Sequence, residues 1–170
     1  LSVQAISNPK FPLLESENKN LLKLYMNDFG LLTHFLYGTN INAILRDENS
    51  VNLGSVYETV VAQELHAHGF VLHYYDNKQK GEVDYLIDDY ENLTILPIEI
   101  KSGKDYKVHS ALDRFLQTSD YHIKKAVVLS NAREVSEKDG VMYLPIYYCM
   151  FYERDKRADE SELIIPEIVM

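Results

Sequence analysis

The chain has 170 residues, 46% hydrophobic and 25% charged, enough to bury a core of its own and too few for two large domains at roughly 100–200 residues each. Seventeen Lys and Arg against 26 Asp and Glu leave a net charge of −9, which opposes non-specific attachment to polyphosphate surfaces. The single Cys149 excludes an internal disulfide and a thiolate zinc site, and no apolar run approaches the roughly 18 residues of a membrane span, so the chain reads as cytoplasmic and not membrane-bound.

Leu1 in place of Met reads as the start of a piece from a longer chain. Residues 1–20, with Pro9 and Pro12, read as an extended lead-in without chemistry. Apolar residues dominate 21–45, including Leu21, Leu22, Phe29, Phe35, Ile41 and Ile44, with breaks at Gly30 and Gly38; a short strand followed by short helices covering a core is expected there. Residues 46–50 are polar and loop out. The segment 54–68 has helical periodicity, and Gly69 stands where a left-handed cap ends such a helix. At about 100° per residue, Val56, Tyr57, Val60, Val61 and Leu65 share an apolar arc that leaves Thr59, Gln63 and His66 outside. Glu64 falls inside the arc and Glu58 borders it, which is unfavourable for a carboxylate unless it is paired or holds a cation.

Three strand-like runs follow at 71–75, 82–87 and 93–101, separated by short polar turns that favour an antiparallel meander. Pro97 points to an edge position or a bulge for the third. Residues 106–118 read as a helix with Val108, Leu112, Phe115 and Leu116 on its core side, 126–129 as a buried strand, and 141–144 as a further strand ended by Pro145. The tail from 153 changes from charged to apolar at Leu163, Ile164 and Ile165 and reads as an edge strand or an extension to a neighbour. These elements divide the chain into a lead-in with a small helical segment (1–50), an α/β core (51–152) and a tail (153–170).

Alternation along a strand puts Glu99 and Lys101 on one face, and Glu82 and Asp84 opposite Val83, Tyr85 and Ile87. If the two strands are neighbours, Asp84 stands beside Glu99. Adjacent carboxylates repel unless a cation holds both. A hard divalent ion meets that need, and Mg²⁺ is the usual choice where the substrate is a phosphate. Lys101 adds an ammonium over the same place, suited to stabilising charge on phosphorus.

Gly54-x-x-x-Glu58, Gly69-Phe70, Gly81-Glu82-Val83-Asp84 and Ile98-Glu99-Ile100-Lys101-Ser102, in that order, resemble the PD-(D/E)XK nuclease superfamily. The stretch from Lys23-Leu24-Tyr25 through Asp28-Phe29-Gly30-Leu31-Leu32, with Tyr143-Leu144-Pro145-Ile146, resembles something narrower, the uncharacterised C-terminal domain of many prokaryotic AAA+ superfamily ATPases. The resemblance covers about residues 20–150 and departs from the superfamily pattern at Val83, where a Pro is usual. It implies an α/β, restriction-endonuclease-like core, a mixed central sheet flanked by helices in the order α-β-β-β-α-β. It also implies Asp84 and Glu99 as ligands of Mg²⁺ or Mn²⁺, Lys101 as the catalytic lysine, Glu58 as the helix carboxylate, DNA as substrate, and an ATPase module upstream. Glu64 rivals Glu58: spacing to Gly69, similar to that in archaeal junction resolvases, favours Glu58, and the helical wheel favours Glu64. Glu58 is preferred.

A non-catalytic module that recruits protein or DNA to the ATPase is the alternative, suggested by the acidic charge and the apolar run Tyr147, Tyr148, Met150 and Phe151. A glycosidase pair would also use two carboxylates, but Lys101 and the absence of Trp speak against it. No phosphate-cradling loop is present, since Gly103-Lys104 has Ile98 at the first glycine position and Asp105 after the lysine. His66 and His68 stand two apart on a helix and do not share a metal; His68 reads as a polar partner and Cys149 as a buried inert thiol. The thirteen tyrosines read as packing. Six cations between Lys101 and Lys125, against three acids, form the one candidate basic surface, and read more simply as a solvated face.

Overall fold

The computed structural model describes residues 1–40, 42, 45–46, 52–103 and 106–154. The expectations for Ile41, Ile44, residues 47–50, Lys104, Asp105 and the tail beyond Arg154 lie outside them. Eight strands form one mixed sheet in the order β2-β1-β3-β4-β5-β6-β8-β7: β1 (Ser2–Ile6), β2 (Asn18–Leu24), β3 (His73–Asn77), β4 (Gly81–Asp89), β5 (Thr94–Lys101), β6 (Ala126–Ser130), β7 (Ser136–Lys138) and β8 (Val141–Pro145). Helices α1 (Phe29–Tyr37), α2 (Gly54–Ala67) and α3 (Ser110–Leu116) complete the order α2-β3-β4-β5-α3-β6 across the centre. The protein is thus a mixed α/β structure with helices on its sheet.

The two faces of the sheet carry separate cores because side chains alternate along each strand. Ile98, Ile100, Val127 and Leu129 pack under Val61, Ala62 and Leu65 of α2. Ala126, Val128, Val141 and Tyr143 pack with Leu112 and Phe115 of α3. The meander β3-β4-β5 is antiparallel as expected, and α3 then returns the chain to lay β6 parallel to β5.

Several expectations change. The lead-in supplies β1, which lies inside the sheet, parallel to β3, with Val3, Ala5 and Ile6 fully buried. A 3-10 turn at Leu13–Ser16 is tied to β4 through the Leu13 N–H, which donates to Asp88 Oδ1 at 3.0 Å. Buried His73 donates from Nε2 to Glu17 Oε1 at 2.9 Å, securing the start of β2. Helix α1 forms, with Asp28 capping the Leu31 N–H at 2.9 Å, but buries no residue; it covers no core, and Phe29, Leu31, Phe35 and Leu36 stay exposed.

Helix α2 ends at Gly69, φ +83°, where Gly69 and Phe70 donate to the carbonyls of His66 and Leu65, the paired bonds of a Schellman cap. Its buried face is rotated from the expected arc: Thr59 and Ala62 are buried, while Tyr57 and Val60 are only half-buried. Thr59 tolerates this because its hydroxyl donates to the Ser55 carbonyl at 2.7 Å. Helix α3 is shorter than expected, starting at Ser110, so Val108 lies outside it and is exposed. Pro97 sits in a central strand, yet pairing of β5 with β6 begins only at Ile98; the proline falls in the half of β5 laddered on one side, where a missing N–H is tolerated. Strand β7 has no apolar pattern and all three residues are exposed; pairing with β8 alone makes it a strand.

Gly81 opens β4 at φ +99°, and a Cβ there would stand 3.0 Å from the Ala111 Cβ of α3. Positive φ and close helix approach both demand glycine. Gly81→Ala is expected to lower stability by about 1–3 kcal/mol, read as a lower urea midpoint; an unchanged midpoint would show that α3 shifts freely from β4.

Candidate functional site

The pairing of β3 with β4 slips between His73↔Leu86 and Tyr75↔Val83, so that Asp84 and Tyr85 together oppose one residue of β3. This bulge breaks the simple alternation expected of β4. Val83 joins the core under α3, while Tyr85 joins the core under α2. Pairing of β4 with β5 runs from Asp89↔Thr94 only to Tyr85↔Ile98. Beyond that point β5 continues beside β6 and the ladder is taken over by a side chain: the Ile100 N–H donates to Asp84 Oδ2 at 2.7 Å. Backbone N–H groups of a sheet point along its plane. Asp84 therefore lies in the split between two strands and not flat on a face beside Glu99, as alternation alone suggests.

Glu99 is 5% exposed and faces the α3 side, opposite its neighbours Ile98 and Ile100. Lys101 shares its face, with Nζ 2.8 Å from Glu99 Oε1. Because Glu99 is buried, this is not a surface ion pair. Burial pushes the Glu99 carboxyl above the ordinary range, and Lys101 and nearby His109 pull it back in part. Asp84 is pushed up to about 8 by burial, then by the charges of Glu99 and Glu58, against the Ile100 N–H and Lys23. The Asp84 carboxyl of β4 thus senses the charges of Glu58 on α2 and Glu99 on β5.

Glu58 and Glu64 separate clearly. The Tyr25 hydroxyl donates to Glu58 Oε2 at 3.1 Å, the Tyr85 hydroxyl donates to the Glu58 carbonyl at 2.9 Å, and the Glu58 charge is felt at Asp84. Glu64 points to the other side of α2, where it lies 3.4 Å from His68 Nε2 and lines an apolar cavity with Cys149. His68 donates from Nδ1 to the Tyr152 carbonyl at 2.6 Å, the polar-partner role expected of it. Burial first, and then Glu64, pushes the Cys149 thiol up to about 11, consistent with an inert thiol.

Three groups join the site that residue patterns did not single out. Lys23 of β2 pairs with Glu82, lies 4.9 Å from the Tyr74 ring centroid and acts on Glu58 and Asp84. Tyr25 holds Glu58. His109, buried ahead of α3, places Nε2 2.7 Å from the Tyr143 hydroxyl and Nδ1 2.9 Å from Asp113 Oδ1. A lone lysine, tyrosine or histidine gives no signal until the sheet order is known. Lys101 does not form one surface with Lys124 and Lys125. Lys124 and Lys125 are exposed before the first residue of β6, while Lys101 pairs in register with its last, Ser130.

The donor set suits a hard divalent cation in one respect: Glu99 Oε2 is buried without a hydrogen-bond partner, and the Glu99 charge is felt at Asp84. Among the described residues no group of three or more His, Cys, Asp and Glu is gathered to hold a metal. Such an ion would rest on Asp84 and Glu99, with water and phosphate completing its shell, as Mg²⁺ commonly does. Among the same residues no helix is long and apolar enough to cross a membrane.

A carboxyl held above its ordinary value keeps a proton in the folded chain that the unfolded chain has already lost. For Asp84 that window runs from its ordinary value of 3.8 to about 8. In chelator-containing buffer the urea midpoint should fall as pH rises through this window. Asp84→Asn should flatten the slope; an equally steep slope in the variant would assign it to other groups.

Comparison with curated proteins and with solved structures finds no match. The family described as Domain of unknown function (DUF4143) matches residues 53–149, from the start of α2 to the last turn, more than half of the chain. The chain belongs to the DUF4143 family.

Proposed function

We propose that this protein is the nuclease-like domain of an AAA+ superfamily ATPase and acts as a metal-dependent phosphodiesterase on DNA, with a restriction-endonuclease-like core. The observation that carries the reading is Asp84 in the split between β4 and β5, where it feels the charges of Glu99 and Glu58, with Lys101 2.8 Å from Glu99. Such a concentration of acid is unfavourable for folding alone and is common where chemistry is done. Asp84 and Glu99 would hold Mg²⁺ or Mn²⁺, which polarises a phosphate oxygen and lowers the pKa of bound water. Lys101, tethered by Glu99 and partly exposed, presents its ammonium to a phosphate at the mouth of the split and stabilises the charge that builds on phosphorus. Glu58, fixed by Tyr25, is placed to accept a proton from an attacking water.

A second reading, a non-catalytic module attached to the ATPase, is favoured by the exposed apolar surface of α1 and the cavity of about 470 Å³ beside it, lined by Phe29, Val60, Tyr147 and Met150. Salt-insensitive protein association without DNA binding would support it.

With Mg²⁺ or Mn²⁺ the purified protein is expected to cut DNA, and Glu99→Ala and Lys101→Ala each to slow cutting by about 10²–10³-fold with circular dichroism unchanged. Intact DNA across duplex, single-stranded and branched substrates, with no effect of Glu99→Ala, would leave the interaction module as the function.

A further inference from the structure

The stretch Lys23-Leu24-Tyr25 lies outside the segment that the family model matches, yet β2 and the turn after it bring both outer residues onto the carboxylate cluster. Lys23 extends over the Tyr74 ring of β3 to Glu82 of β4. Tyr25 donates to Glu58. The segment is held in place from two sides: Val3 of β1 is in register with Lys23, and Gln63 Nε2 of α2 donates to the Met26 carbonyl at 2.9 Å.

The charges around Lys23 require an explanation. Glu58, Glu82 and Asp84 all act on it, from α2 and β4, and Glu99 lies just beyond. A phosphodiester entering this place meets four carboxylates, and Lys101 is already engaged by one of them. Net charge of −9 across the chain offers no general attraction. Burial alone would lower the pKa of Lys23, but Glu82 and then Glu58 and Asp84 more than offset this and raise it above the ordinary value. Its direct partner Glu82 has a 46% exposed side chain, against 7% for Glu99, and the Lys23 side chain is itself 25% exposed. An ion pair this open to water is weakly held and exchanges readily. The Lys23 ammonium is therefore free to leave a carboxylate oxygen for a phosphate oxygen without moving its backbone.

The geometry points to Lys23 as a second phosphate-binding cation of this site and to Tyr25 as the positioning residue of Glu58, so that the β1–β2 hairpin forms part of the DNA-binding surface. This rests on the phosphodiesterase reading and extends it to residues outside the segment matched by the family. Tyr25 stays a neutral donor, since burial holds its hydroxyl far above the ordinary range. It can orient the Glu58 carboxylate without competing for its proton.

The test uses a fluorescein-labelled DNA duplex and its single strand, with anisotropy read in Ca²⁺ across a salt series and cleavage read in Mg²⁺. Lys23→Ala is expected to weaken binding about 10-fold and to reduce the slope of log affinity against log salt by about one. Lys23→Arg restores most of it. Glu82→Gln breaks the same ion pair but frees the ammonium, and should tighten binding. Tyr25→Phe should leave affinity near wild type and shift the pH profile of kcat. If Lys23→Ala and Glu82→Gln weaken binding alike, or neither changes it while wild type binds and cuts, Lys23 is structural and the inference fails alone. A wild-type chain that neither binds nor cuts DNA overturns the phosphodiesterase reading and this one with it.

Discussion

Strand β4 accompanies β5 only as far as Tyr85, and the site owes its existence to that parting. Two ladders compete for the end of β5: its antiparallel neighbour β4 and its parallel neighbour β6, which pairs from Ile98 onward. The bulge at Asp84 and Tyr85 turns β4 away and leaves the Ile100 N–H without a backbone acceptor, which the Asp84 carboxylate replaces. A backbone group buried without a partner is costly. Asp84 is thus needed for the sheet to end this way and is at once delivered beside Glu99. Structure and candidate chemistry depend on the same hydrogen bond.

That arrangement concentrates negative charge where water is scarce. Burial raises the pKa of both Asp84 and Glu99, and at Asp84 the charges of Glu99 and Glu58 add to it. The chain moderates this charge with side chains from three directions, Lys101 along β5, Lys23 from the sheet edge and the Tyr25 hydroxyl on Glu58. It does not remove it, and one oxygen of Glu99 is left without a partner. This imbalance is what the proposed cation would relieve, and stability given up at such a place is commonly retained for function.

The remaining surface separates into regions of different character. Lys101 and the pair Lys124 and Lys125 fall at opposite ends of β6 because it runs parallel to β5, so these three do not share one basic face. Apolar residues gather on α1 and on the closing 3-10 turn (Ile146–Phe151), away from the carboxylates. The proposed catalytic site and the proposed contact surface use different residues, so the two readings are physically compatible on one chain.

Periodicity was sufficient for α2, for the three antiparallel strands and for β6 and β8, because each carries an apolar pattern matched to its own repeat. Glu99 and Lys101 on one face followed from the two-residue repeat, and Glu58, Asp84 and Glu99 stood out by their order in the pattern that resembles the nuclease superfamily. The rest was invisible for definite reasons. Strand β1 looks like a leader until β3 supplies a parallel partner, α1 looks like a core helix until its neighbours are counted, and the bulge at Asp84 has no residue signature. Lys23, Tyr25 and His109 are ordinary residue types outside the carboxylate and lysine motifs, and they reach the site only because the tertiary structure brings the end of β2 and the start of α3 toward β4 and β5. Local pattern is a property of neighbouring residues and can be read along the chain; which strand ends where, and what side chain fills the gap, depends on long-range pairing that no local pattern encodes.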